Sequence, residues 1–95
     1  MTRESLHAIS DQIHAIGRDF GVSEIRVFGS VATGRSTSES DVDLLVRMEP
    51  TRSLLDLVGF EQTIADLLQV NVDVVEEGGI HPSLEAKIMR EACAI

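Results

Sequence analysis

The sequence predicts a small α/β (α+β) domain, in which a three-stranded mixed sheet carries helices packed on one face. Two observations predict this class. Apolar residues recur at helical spacing in long segments near both ends and in the middle of the chain, and they alternate at strand spacing in short runs between those segments. The 95 residues suffice for one modest core, so we expect a single domain over 1–95.

The first two helices are predicted from the spacing of their apolar residues. One runs from about Arg3 to Phe20, with Gly21 as its stop. The middle helix spans about Ser53 to Leu68, and either Thr51 or Ser53 can cap it.

Three short segments have the composition and alternation of strands: 25–28, 41–48 and 70–75. A pair of glycines, Gly78-Gly79, breaks the chain after the third strand. The last helix then runs from Ser83 to about Ala92, with Pro82 near its first turn.

A phosphate-binding turn is expected where the first strand ends. Gly29 permits a backbone turn that a side chain would block, and Ser30 starts a short helical turn through Ala32. Free backbone N–H groups at such a turn, together with the Ser30 hydroxyl, form a compact site for the terminal phosphates of a nucleotide. The loop 34–40 then carries the chain to Asp41.

Three carboxylates are expected beside this turn. Asp41 and Asp43 open the second strand two residues apart, so they share a face at a separation of about 6–7 Å. Asp73 stands on the third strand. Hard oxygen ligands suit Mg²⁺ best, and three carboxylates on adjacent strands are able to hold two such ions during an in-line displacement of pyrophosphate. Asp73 is the candidate for a base, or for a metal-assisted proton acceptor, near the attacking hydroxyl.

Strand directions follow from this site. Gly29 ends the first strand and Asp41 starts the second, so these strands must be antiparallel for the turn to meet the carboxylates. Asp73 lies near the start of the third strand, which must therefore run parallel to the second, with the middle helix as the crossover. The acids would then lie on an open sheet face.

A simpler interpretation remains for each part of the motif. Gly-Ser and Asp-x-Asp pairs occur by chance and usually mark turns, caps or solvated strand ends. Their combination with a third acid, in the order strand, turn, strand, helix, strand, favours a functional site instead.

Charge and composition exclude several classes of function. The net charge is −8 and the eight Lys and Arg residues are scattered, whereas nucleic-acid binding draws its affinity from basic side chains. We therefore expect no direct nucleic-acid partner and favour a neutral or basic protein surface. No apolar run approaches the roughly 18 residues of a membrane span, and the N-terminus lacks the features of a signal peptide. With Cys93 as the single cysteine, a cytoplasmic protein without a membrane partner is expected.

Two segments, Gly29-Ser30-Val31-Ala32-Thr33-Gly34 and Ser40-Asp41-Val42-Asp43-Leu44-Leu45-Val46, resemble the signature of the minimal nucleotidyltransferases, the small branch of the DNA polymerase β superfamily. The resemblance extends over nearly the whole chain and implies a nucleotidyltransferase fold. It implies that Gly29 and Ser30 bind the triphosphate and that Asp41, Asp43 and Asp73 are the metal and catalytic acids.

The chain departs from this family pattern at two positions. Many members carry Arg directly after the Ser and again two positions later, where this sequence has Val31 and Thr33. Arg35 is the nearest substitute for binding the phosphates.

The resemblance also implies a reaction and a partner. Minimal nucleotidyltransferases commonly act as antitoxins paired with a helical HEPN-domain toxin, and some adenylylate a tyrosine on it. The expected activity is therefore Mg²⁺-dependent transfer of AMP from ATP to a hydroxyl of a HEPN toxin, within a hetero-oligomer. This chain has no Tyr, so a tyrosine acceptor must lie on another protein, while self-modification at Ser or Thr stays open.

Two alternatives remain from the sequence. The first is a non-catalytic antitoxin or binding module that masks a basic partner. The second is a nucleotidyltransferase subunit acting on a small molecule, such as an aminoglycoside, although 95 residues leave no room for a separate acceptor-binding domain.

Overall fold

The computed structural model describes residues 1–37 and 39–95, so Ser38 of the predicted loop 34–40 lies outside the described residues. The helices are α1 (Arg3–Ala8), α2 (Ser10–Asp19), α3 (Gly29–Ala32), α4 (Leu54–Leu68) and α5 (Pro82–Glu91). The strands are β1 (Val22–Phe28), β2 (Val42–Met48), β3 (Val72–Glu76) and β4 (Cys93–Ala94), and a 3₁₀ turn spans Glu77–Gly79. No helix in these described ranges is long and apolar enough to cross a membrane.

The four strands form one mixed sheet in the order β3-β2-β1-β4. β1 runs antiparallel to β2, and β2 runs parallel to β3, which confirms the predicted strand directions and fold class. The sheet has one strand more than predicted, because Cys93–Ala94 pairs antiparallel with β1. A strand this short does not show the alternation by which strands are recognised in a sequence.

The predicted single helix over 3–20 is instead two helices, which meet at Ile9. The backbone of Ile9 has φ −112° and ψ 17°, outside the helical range, so it ends α1 and precedes α2. Leu6 and Ile13, on either side of the break, are both fully buried in the same core. Apolar spacing alone did not reveal the break, because it continues across Ile9.

One face of the sheet is packed against α2 and α4. Val27, Leu44 and Val46 lie on this face and are almost fully buried, together with Phe60 and Ile64 of α4. The helix α4 begins one residue later than predicted. Ser53, one of the two predicted caps, is its N-cap, and the Ser53 N–H donates to Oδ2 of Asp56 at 3.1 Å.

The opposite face, which carries the acids, is less open than predicted. Leu45 alternates with Asp43 and Arg47 on this face, yet it is only 1% exposed. Glu77 of the 3₁₀ turn forms ion pairs there with Arg26 at 3.1 Å and with Arg47 at 3.2 Å. The segment that follows β3 therefore covers part of this face, and the acids lie beside that cover.

Candidate active site

Gly29 joins the end of β1 to the start of α3, as the sequence predicts. Its φ of +72° lies in the left-handed region that favours glycine. A Cβ placed on Gly29 would also collide with Oδ2 of Asp43, which belongs to the residue paired with Phe28 across the two strands. Glycine is therefore required here for two separate reasons, and the turn lies directly against one of the predicted acids.

The three predicted acids come together at the starts of β2 and β3. Asp43 and Asp73 are register partners across the parallel pair. Asp41 lies one residue before β2 rather than inside it, since the strand begins at Val42. Asp41 and Asp73 are exposed, whereas Asp43 is partly buried.

The carboxylate of Asp43 lies in an electrostatically unfavourable place. Its burial raises the pKa of Asp43 above the ordinary value, and the negative charges of Asp73, Asp41 and Glu91 raise it further. Crowded carboxylates of this kind favour a bound cation or a proton, because either relieves the repulsion.

The acids fit a magnesium ion that is completed by substrate. Among residues 1–37 and 39–95, no group of three or more His, Cys, Asp or Glu side chains is arranged to hold a metal ion by itself. Mg²⁺ usually binds through one or two carboxylates, with substrate phosphates and water as its other ligands. The hard oxygen donors and the raised pKa of Asp43 suit that mode.

Glu91 is a member of the site that sequence reasoning missed. The Gly29 N–H donates to Oε2 of Glu91 at 3.2 Å, and the Glu91 side chain is 18% exposed. Glu91 is the last residue of α5, far from Gly29 along the chain. No local pattern marked it, because a carboxylate near the end of an amphipathic helix is ordinarily solvated.

Arg35 contacts Glu91 and Thr33 rather than one of the three acids. Its terminal nitrogen lies 3.9 Å from Oε1 of Glu91, its side chain is 68% exposed, and its Nε–H donates to Oγ1 of Thr33 at 2.8 Å. Arg35 is thus near the Gly29 turn. Its binding of phosphate remains a prediction, as does that of Ser30, which lies in the first turn of α3.

A cleft of about 330 Å³ opens between α4 and the starts of β2 and β3. Its lining consists of Asp41, Glu61, Gln62, Ala65, Asn71, Val72 and Asp73. Leu54 and Val58 precede Glu61 and Ala65 at helical spacing, so they lie on the same flank of α4, and both are exposed. An apolar strip therefore leads along α4 towards two of the acids.

A glycine turn after one strand and carboxylates at the starts of the next two form the arrangement expected of a small nucleotidyl-transfer domain. The chain belongs to the nucleotidyltransferase domain family, which it matches over residues 9–95. This confirms the predicted family, the minimal nucleotidyltransferases, and the enzyme class.

Two relatives carry names that describe their activity. A protein of Methanocaldococcus jannaschii, named as a candidate protein adenylyltransferase, is 35% identical over 88 residues, which cover 93% of this chain and 95% of the relative. Protein adenylyltransferase MntA of Thermococcus cleftensis is 39% identical over 72 residues, covering 76% of this chain and 73% of the relative.

Solved structures share the fold. A candidate minimal nucleotidyltransferase superposes with a TM-score of 0.86 at 39% identity, covering 100% of this chain and 97% of the other. The MNT antitoxin complex with a tri-AMPylated HEPN toxin from Shewanella oneidensis gives a TM-score of 0.69 at 20% identity, covering 93% of this chain and 69% of the matched chain. The second likeness is evidence for the fold alone.

Proposed function

We propose that this protein is a Mg²⁺-dependent protein adenylyltransferase, which transfers AMP from ATP to a hydroxyl of a partner protein and releases pyrophosphate. The observation that carries the proposal is the close approach of the Gly29 turn to Asp43, with Asp73 directly opposite on the neighbouring strand. The proposed site for phosphates and the proposed site for cations are therefore adjacent, as phosphoryl transfer requires.

Each residue has a proposed role. Gly29 and Ser30 bind the triphosphate through backbone N–H groups and the hydroxyl, with Arg35 as an additional cation. Asp41, Asp43 and Asp73 would hold two Mg²⁺ ions, with phosphate oxygens as further ligands. When bound, Mg²⁺ supplies positive charge against the negative charge that develops on the phosphates.

Asp73 is the proposed proton acceptor for the reaction. The attacking hydroxyl oxygen forms a bond to the α-phosphorus of ATP, the bond from that phosphorus to the oxygen bridging to the β-phosphate breaks, and pyrophosphate leaves. The hydroxyl proton passes to the Asp73 carboxylate, which is exposed at the start of β3 and so accessible to an acceptor protein.

The proposed partner is a HEPN-type toxin, and the proposed acceptor is a tyrosine on it, which makes this chain an antitoxin within a hetero-oligomer. The Thermococcus relative, which is named a protein adenylyltransferase, supports the activity. The choice of partner follows the Shewanella complex, which shares the fold and contains an AMPylated HEPN toxin. We place the partner on the apolar strip of Leu54 and Val58 on α4, together with the neighbouring exposed Leu55. This strip leads to the cleft beside Asp41 and Asp73.

A second candidate function is a non-catalytic antitoxin that masks its partner. The observation that favours it is the scarcity of cations at the turn: Val31 and Thr33 are uncharged, and Arg35, the nearby cation, has the negative charge of Glu91 beside it. Under this alternative the acids attract a basic surface and perform no chemistry.

The deciding experiment measures intact mass and partner activity. A HEPN-type candidate partner is incubated with ATP, Mg²⁺ and either the parent chain or the double variant Asp41→Asn/Asp43→Asn. We expect the partner to gain one or more AMP masses and to lose activity with the parent only. The matched control Asp11→Asn/Asp19→Asn removes the same charge from exposed sites on α2 and should behave as the parent. Inhibition by both the parent and the Asp41/Asp43 variant, without any mass change, would establish the masking function instead.

A further inference from the structure

Gly29 is enclosed by a ring of polar contacts that closes through three side chains. The Gly29 N–H donates to Oε2 of Glu91 at 3.2 Å, and Oε1 of Glu91 lies 3.9 Å from a terminal nitrogen of Arg35. The Nε–H of Arg35 donates to Oγ1 of Thr33 at 2.8 Å. The Thr33 hydroxyl in turn donates to the Gly29 carbonyl at 3.0 Å. We call these four residues the Gly29 ring.

The links of the Gly29 ring differ in strength. A hydroxyl has one donor and two acceptor lone pairs, so Thr33 is able to make both of its contacts at once. The bond from the Gly29 N–H to Glu91 is charge-assisted and therefore stronger than a neutral one. The Arg35–Glu91 pair is long and exposed, and such pairs contribute little. The Gly29 N–H is thus held by a charge-assisted bond to Glu91, and the Gly29 carbonyl is held twice, because it also accepts the Thr33 N–H at 3.1 Å.

Glu91 is held in the fold by the helix that precedes it and the strand that follows it. It ends α5, and the following residues, Cys93 and Ala94, pair with Val27 and Arg26 near the end of β1. The same strand delivers the chain to Gly29. The Glu91 carboxylate and the Gly29 N–H are therefore held by one sheet, and no long flexible segment separates them.

We propose that Glu91 and Thr33 are positioning residues for nucleotide binding, which fix the Gly29 backbone so that Ser30 and the remaining N–H groups of α3 face the triphosphate. This inference rests on the proposed function. The left-handed conformation of Gly29 is one of several open to glycine. Holding both its N–H and its C=O selects this one before the nucleotide arrives, which reduces the ordering that binding requires.

The test compares variants that keep or remove a single polar atom. Glu91→Gln retains an oxygen that accepts from the Gly29 N–H, whereas Glu91→Leu does not; Thr33→Ser retains the hydroxyl, whereas Thr33→Val does not. We expect Glu91→Gln and Thr33→Ser to bind MgATP within about twofold of the parent. Glu91→Leu should bind about tenfold more weakly, as the loss of one hydrogen bond predicts. Thr33→Val should bind about threefold more weakly, because the Thr33 N–H still donates to the Gly29 carbonyl at 3.1 Å.

Glu85→Gln on the same helix is the charge control, because Glu85 is exposed and loses the same charge as Glu91→Gln. It should bind MgATP as the parent does. If Glu91→Leu bound MgATP as well as the parent, Glu91 would have no positioning role. If it bound more tightly, the carboxylate would be an obstacle to phosphate, and the proposal would again be wrong. Thr33 is exposed, so Thr33→Val retains the fold and provides the same test should Glu91→Leu fail to fold.

A second readout separates this inference from the proposed function. Amide hydrogen exchange at Gly29, measured without nucleotide, should be slow in the parent and in Glu91→Gln and fast in Glu91→Leu. Absence of MgATP binding by the parent would defeat the proposed function but leave this comparison intact. Equal exchange in Glu91→Gln and Glu91→Leu would overturn the positioning role even if the parent binds MgATP.

Discussion

The two faces of the sheet differ in what they contribute. On the face packed against α2 and α4, Val27, Leu44 and Val46 are apolar and buried. On the other face, Asp43 and Arg47 belong to the same strand as Leu44 and Val46, yet both are ionisable and at least partly accessible to solvent. Burial of the first face stabilises the fold. The charges on the second face stabilise the fold little or destabilise it, but they belong to the candidate active site.

The largest expected effect tests the stabilising face. Phe60 on α4 is 0% exposed and is the bulkiest of the fully buried side chains. Phe60→Ala should lower the free energy of unfolding by about 3–5 kcal/mol, because it removes apolar burial and leaves a cavity. Urea denaturation measures this change.

The control for Phe60→Ala lies on the same helix. Leu55 is 82% exposed, so Leu55→Ala should change the free energy of unfolding by no more than about 0.5 kcal/mol. Similar losses from the two substitutions would contradict the claim that burial between α4 and the sheet stabilises the fold.

An intermediate effect is expected where the acid-bearing face meets the turn. Gly29→Ala and Gly34→Ala each place a side chain at positive φ, which costs about 1–2 kcal/mol of stability in both. Only at Gly29 does the new Cβ collide with Asp43, because no atom lies within 4 Å of the corresponding position at Gly34. Gly29→Ala should therefore also lower the rate of AMP transfer by about 10²-fold. Equal transfer rates for the two variants would show that the contact with Asp43 is unimportant.

The smallest expected effect concerns stability and pH. The folded state raises the pKa of Asp43 above its value of about 4 in an unfolded chain, so it holds this proton more tightly than the unfolded chain does. The stability that this proton contributes is fully present below the pKa of the unfolded chain. It is lost as the pH rises through the raised pKa of the folded state. With chelator at pH 7, Asp43→Asn should therefore melt at a higher temperature than the parent, despite having lost the proposed activity.

The control for this comparison is Asp19→Asn, which removes one charge from an exposed site on α2. It should change the melting temperature less than Asp43→Asn does. Addition of Mg²⁺ should raise the melting temperature of the parent more than that of Asp43→Asn, since ligand binding stabilises the folded state. A lower melting temperature for Asp43→Asn than for the parent at pH 7 would contradict the claim that neighbouring carboxylates repel the charge of Asp43.

Local patterns predicted the parts of the site that are close in the sequence. Alternation located β2, with Asp43 on the face opposite Leu44, and Gly29 marked the turn because its conformation is a property of the residue itself. Glu91 approaches Gly29 because β4, which follows α5, pairs with β1. No local sequence pattern predicts that pairing. The break at Ile9 was missed because the apolar spacing continues across it.

The position of β3 at the outer edge of the sheet has a consequence for handling the protein. An unpaired strand edge is a template on which another chain can add a strand, and charged side chains on such a strand discourage this aggregation. Asp73 and Glu76 are the two charged residues of β3, whose other residues are valines. A neutral residue at position 73 therefore weakens a barrier to self-association at the same time as it removes a candidate catalytic group. Activity lost in an Asp73→Asn variant should be attributed to chemistry only after light scattering has shown the sample to be free of aggregates.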